Sequence, residues 1–119
     1  ERNVSLSGDE AMTTSDATSD VGSRLLFEND HVKIWDLRLE PGQNLGMHRH
    51  TSEYALVVIG DGTLRSVNED GSTRFEKDMP DGTVAYRALK TEDVHDAVNV
   101  GKDPWRNIVI EFKDRPCAE

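Results

Sequence analysis

Gly42-Gln-Asn-Leu-Gly-Met-His48-Arg-His50-Thr-Ser-Glu53-Tyr-Ala-Leu-Val-Val-Ile-Gly60 holds the tightest grouping of metal-binding side chains in the chain. If Met47 to His50 is extended, side chains two apart share a face, so His48 and His50 project together while Met47 and Arg49 point the other way. Two imidazoles on one strand face are half a metal site. Glu53, at the start of the next apolar run, and His95, far along the chain, are the residues that can supply the remainder.

The segments around this stretch read as strands. Tyr54 to Ile59 is a continuous β-branched and apolar run closed by Gly60-Asp61-Gly62, which predicts a buried strand and a tight turn. Thr63 to Val67 returns antiparallel, Asn68 to Gly71 is a hairpin signal, and Ser72 to Lys77 is the next short strand. Pro80-Asp81-Gly82 turns again, followed by strands over Val84 to Leu89, Val94 to Val100 and Trp105 to Lys113. Upstream, His31 to Glu40 is strand-like but changes phase. Val32 and Ile34 share one face and Trp35, Leu37 and Leu39 the other, which predicts a bulge near Trp35. Apolar residues nowhere recur at i, i+3, i+4, i+7 over three turns, so an all-β sandwich or barrel is expected.

Residues 1–23 are rich in Ser, Thr and Asp, with apolar residues at no regular period. They are expected to form a polar arm, flexible or docked on a partner subunit, with the folded domain spanning 24–119. A chain of 119 residues with 35% hydrophobic content is large enough for one domain. Its formal charge of -9 argues against nucleic acid or an anionic membrane as a partner. Cys117 is the single cysteine and has no thiolate companion for a metal site. No apolar run approaches the roughly 20 residues of a membrane span, and a cytoplasmic location is expected.

Neutral imidazole and carboxylate oxygen together suit Fe(II), Mn(II), Ni(II) or Zn(II). His31, beside an Asn-Asp turn, reads as a surface residue, which leaves His48, His50 and His95 with Glu53 as the candidate ligands. Burying these polar groups unpaired would cost several kcal/mol, of order 2–7 kcal/mol per group, so they are either exposed or bound to an ion. Trp35, Tyr86, Arg87 and Asn99 are candidates for contact with a small-molecule substrate, and for Trp35 and Tyr86 ordinary packing is the competing role.

The central stretch resembles the first motif of the cupin superfamily: Gly, five residues, His-x-His, three or four residues, Glu, six residues, Gly. Gly42, His48, His50, Glu53 and Gly60 match it, with two residues instead of three or four before Glu53. Pro80-x-Gly82 and His95-Asp-Ala-Val-Asn99 are similar to the second motif. The resemblance implies a double-stranded β-helix, or jelly-roll barrel, over about residues 25–113, with His48, His50, Glu53 and His95 as metal ligands; a loosely coordinated Glu53, with its second oxygen free, is also the candidate catalytic base. The short interval before Glu53 leaves open a four-ligand centre or three histidines with an extra open position. The Trp35-to-Gly42 lead-in and the ending from Asn99 to Phe112 look like the bacterial cupins grouped with β-alanine degradation proteins. The expectation is an Fe(II)-dependent, dioxygenase-type homodimer acting on a small polar metabolite, with a non-catalytic metal or small-ligand binding module as the alternative.

Overall fold

The structure, a computed structural model, describes residues 17–117. Nine strands form two antiparallel sheets: β1 (Arg24–Glu28), β2 (Val32–Leu39), β3 (His48–His50), β4 (Ser52–Val58), β5 (Gly62–Asn68), β6 (Thr73–Met79), β7 (Val84–Arg87), β8 (Asp93–Asn99) and β9 (Trp105–Pro116). The five-stranded sheet runs β1-β2-β9-β4-β7 and the four-stranded sheet β3-β8-β5-β6. Sequence neighbours β3 and β4 thus sit in different sheets, and each pairs with a strand remote in sequence: β3 with β8, β4 with β9. No helix is long and apolar enough to cross a membrane among the described residues.

Alternation along the strands builds the core. Trp35, Leu37 and Leu39 of β2 point inward, as do Tyr54 and Val58 of β4 and Trp105 and Val109 of β9. One end of the sandwich is filled by Leu37, Leu39, Val58, Leu64, Ala97 and Trp105. Trp105 packs so tightly on β5 that a Cβ at Gly62 would lie 2.5 Å from its ring, so only glycine fits there. The other end is lined by the histidines and stays open as a cavity.

β2 itself carries no bulge at Trp35. β2 pairs with β9 in unbroken register from Val32↔Phe112 to Leu39↔Trp105, and the irregularity falls instead on β1, between Leu25 and Phe27. The phase change in the sequence arises because the outer face of this sheet is itself apolar, with Val32 and Ile34 half-buried on it. Asp36, also on that face, is buried between Arg38 and Arg106. Burial opposes its charge, but the two guanidiniums outweigh burial and hold the carboxyl below its ordinary range.

Residues 1–16 of the expected arm lie outside the described residues, while 17–23 dock on the barrel of their own chain. The Thr18 N–H donates to Met47 O at 3.2 Å, and Thr18 O accepts from the Arg49 N–H at 2.7 Å. This extends the free edge of β3. Val21 is only 1% exposed and packs with Trp35, Tyr54 and Val109, a burial that stabilises by roughly 1.5–3 kcal/mol. A boundary at residue 24 drawn from composition therefore misses a segment whose one apolar side chain belongs to the core.

Candidate metal centre

Pairing between β3 and β8 assembles the site. His48 lies directly opposite His95, and His50 opposite Asp93. Because His48 and His50 are two apart, both face inward, and both are buried. The three rings form a triangle, with centroids 5.0 Å apart for His48–His50, 4.6 Å for His48–His95 and 4.9 Å for His50–His95. One nitrogen from each lies within 4.8 Å of the others, a spacing within reach of a single ion.

Outer contacts fix two of the three rings. His48 Nδ1 is 2.8 Å from Gly46 O, which can only accept, so Nδ1 carries the proton and Nε2 keeps its lone pair. Gly46 is held in turn by Asp96, whose Oδ1 accepts from the Gly46 N–H at 2.7 Å and whose Oδ2 accepts from Asn44 Nδ2 at 2.8 Å. The backbone at Gly46 has a φ of 108°, which favours glycine and turns that carbonyl toward the imidazole. His95 Nδ1 donates to Asp93 Oδ2 at 2.7 Å, and Arg74 grips the same carboxylate through both terminal nitrogens at 3.0 Å. The His95 hydrogen bond comes first in keeping Asp93 ionised well below its ordinary range. Such carboxylate–histidine pairs orient a ligand and raise its basicity.

The donor set fits a divalent transition metal. Burial lowers the His48 pKa to about 4, and burial with the neighbouring imidazoles lowers His50 to about 2, so both are neutral at physiological pH. His50 Nδ1 is buried without a hydrogen-bond partner among the described residues. An unpaired buried nitrogen costs roughly 1–3 kcal/mol, which ligation of an ion through that nitrogen removes.

Glu53 does not join the histidines. Ser52 and Tyr54 face inward, so Glu53 points to the outer face of the five-stranded sheet. There its carboxylate accepts from the Tyr86 hydroxyl and from Arg115 Nε at 2.8 Å. Those two donors hold its pKa below the ordinary value, so it is neither a ligand nor a base for this cavity. The spacing explains the outcome: after three intervening residues from His50, where the cupin motif places its carboxylate, stands Tyr54. Its ring stacks on His50 at 4.0 Å with an interplanar angle of 13°. Burial raises its pKa to about 12, so the hydroxyl keeps its proton.

Of the four expected substrate contacts, only Arg87 lines the cavity. Trp35 is core, its Nε1 donating to Glu111 Oε1 at 2.8 Å. Tyr86 lies on the outer face with Glu53, since residues 84 and 86 alternate with the inward Ala85 and Arg87. Asn99 faces inward, as its alternation with His95 and Ala97 predicts, but four residues of strand carry it to the closed end. It is fully buried there, with Nδ2 donating to Leu39 O and Asp103 O and Oδ1 accepting from the Gly101 N–H, all at 2.9 Å. Tyr54, Arg74, Asp93 and Asp96 are the site residues that the sequence reading missed. The even offsets of Tyr54 from His50 and of Asp93 from His95 were the available signals.

No family model matches the sequence, and no curated protein matches it. Solved structures do. A cupin domain from Bordetella pertussis Tohama I is 23% identical with a TM-score of 0.66, the match covering 82% of this chain and 97% of that one. An RmlC-like cupin with a double-stranded β-helix fold from Methanocaldococcus jannaschii is 20% identical with a TM-score of 0.58, covering 91% and 93%. The two sheets and these likenesses define the chain as a cupin-fold, double-stranded β-helix barrel with a three-histidine cluster at its open end. A polyketide cyclase from Streptomyces resistomycificus, 16% identical with a TM-score of 0.55 over 91% and 82% of the two chains, shares the same fold.

Proposed function

We propose that the protein is a mononuclear metal enzyme of the non-haem Fe(II) dioxygenase type, with His48, His50 and His95 as ligands and a small organic molecule as substrate. The observation that carries this reading is the convergence of three imidazoles, two of them held neutral by burial, on the wall of a cavity of about 490 Å³, with no carboxylate among the described residues taking the fourth ligand place. His48, His50 and His95 would hold an iron(II) ion and leave it positions open to substrate and dioxygen, more of them than a set with a carboxylate ligand would leave. Asp93 keeps the proton on His95 Nδ1 and leaves Nε2 free. Tyr54 presents a protonated phenol from the face of His50 and acts as a hydrogen-bond donor. Inward apolar side chains, among them Leu37, Leu56 and Val109, exclude water from the far wall.

The closer kinship with the β-alanine degradation group and a homodimeric state belong to the same proposal. The latter is supported by Val84 and Tyr86, 63% and 49% exposed on the outer face of β7. The second reading, a metal or small-ligand binding module, is favoured by the fold's tolerance of non-catalytic roles. Turnover separates the two. Protein loaded anaerobically with Fe(II) is mixed with air-saturated buffer and a panel of acids, diketones and thiols, with oxygen uptake followed by electrode and products by mass spectrometry. Substrate-dependent oxygen uptake is expected. Stoichiometric iron without uptake on any compound would replace the enzyme reading with the binding one.

A further inference from the structure

The charges around the cavity do not balance. Of the acidic residues lining it, Glu92 pairs with Arg49 at 2.9 Å, and Asp93 is committed to His95 and Arg74. Arg74 is itself filled, donating to Asn68 Oδ1 at 2.7 Å and to both oxygens of Asp93. Arg87 and Lys90 also line the cavity, and no carboxylate pairs with either among the described residues. In a chain of net charge -9, two uncompensated cations at one opening are a local reversal of sign. Cavities with low-dielectric walls focus such a field on an incoming anion.

Arg87 is the better placed of the two. It lies directly opposite Tyr54 on the β4–β7 ladder, so the two inward side chains are immediate neighbours, and Tyr54 stacks on His50. The line from Arg87 through Tyr54 to the histidines therefore runs along one wall. On the opposite sheet the cavity is lined mainly by Leu64, Phe75, Met79 and Ala97, which offer no hydrogen bond, with Ser66 the one hydroxyl among them. A guanidinium matches the two oxygens of a carboxylate in a planar fork, whereas the apolar walls favour a hydrocarbon body.

We propose that the cavity takes a small carboxylic acid with an apolar body, its carboxylate paired with Arg87 and its remaining end lying toward His48, His50 and His95. The assignment of the reactive end rests on the metal-centre reading above; the anion site does not. Arg87 sets substrate class and Lys90 only assists entry.

The test is calorimetric titration of metal-free and Zn(II)-loaded protein with straight-chain and phenyl-substituted carboxylates of about four to about ten carbons, each beside its primary amide. At least one acid is expected to bind about 10-fold or more tighter than its amide in both forms of the protein. Arg87→Gln is expected to weaken that acid by about 10–100-fold and to bring the acid and amide affinities together, leaving the amide within about twofold. Lys90→Gln is expected to leave the acid preference within about threefold. Arg87 is exposed, so the variant's thermal melt serves as the folding control. Absence of acid preference across the panel, or a preference that survives Arg87→Gln, overturns the proposal. So does a preference seen only with zinc, which would place the carboxylate on the metal. Arg87-dependent binding without metal upholds the anion site even if the iron-loaded protein turns nothing over, so the two readings fail separately.

Discussion

Replacing Asp96 by alanine should weaken both the fold and the metal centre, although Asp96 touches neither the metal position nor the cavity. Asp96 is 8% exposed, and its two oxygens accept from three donors: the Gly46 and Ala97 N–H groups at 2.7 Å and Asn44 Nδ2 at 2.8 Å. At about 1 kcal/mol for each donor left poorly satisfied, Asp96→Ala should cost about 3 kcal/mol. For a domain of this size that lowers Tm by about 12–15 °C. The larger interest lies in the second step, from Gly46 O to His48 Nδ1. With the loop released, the His48 ring loses the acceptor that fixes its tautomer, and metal affinity should fall by about 10–100-fold. Asp96→Asn separates the effects. It keeps an oxygen for the Gly46 N–H but sets an amide against Asn44, so a loss of about 1 kcal/mol with metal affinity within about threefold is expected. Calorimetric melts of metal-free protein and competition titrations with a zinc chelator give both numbers. Wild-type zinc affinity in a folded Asp96→Ala protein would refute the claim that this loop positions His48.

Three further outcomes follow from the geometry. Glu53→Gln should leave metal content unchanged, because the carboxylate is bound to Tyr86 and Arg115 on the outer face; loss of metal measured by elemental analysis would restore Glu53 as a ligand. The double variant His48→Ala, His95→Ala should retain less than about a tenth of the wild-type metal, and full retention would move the site elsewhere. In metal-free protein, the His48 pKa falls from 6.5 to about 4 on folding, and that of His50 falls further. The unfolded chain therefore binds more protons below pH 6.5, and stability should drop as pH is lowered from 6.5 toward 4, by up to about 1.4 kcal/mol per pH unit for each histidine. Urea midpoints between those pH values check this, and a slope unchanged in the His48→Ala, His50→Ala protein would refute it.

Glu53 shows where local reasoning reaches its limit. Its type and approximate spacing suit a ligand, yet its odd offset from His50 on a nearly continuous strand sends it to the other face. Position 54 inherits the inward place, and the consequence for chemistry is a phenol where a carboxylate was expected. Tyr86 went astray for the same reason in reverse: residues 84 to 87 alternate, and strand phase alone does not reveal which half faces the cavity. The apparent phase change in β2 reflected a sheet apolar on both faces and not a bulge.

The residue types and their period-two spacing determined, without any structure, that the chain is all-β, that His48 and His50 share a face, and that His95 is the third histidine to set beside them. These are local properties, since alternation and turn chemistry act over a few residues. Tertiary structure alone decided that His95 lies opposite His48, that Glu53 is turned away, that Val21 belongs to the core and that Arg87 stands beside the cavity with no carboxylate partner among the described residues. Each of these depends on which strands pair and in what register, a free-energy balance over the whole sandwich that no single segment encodes.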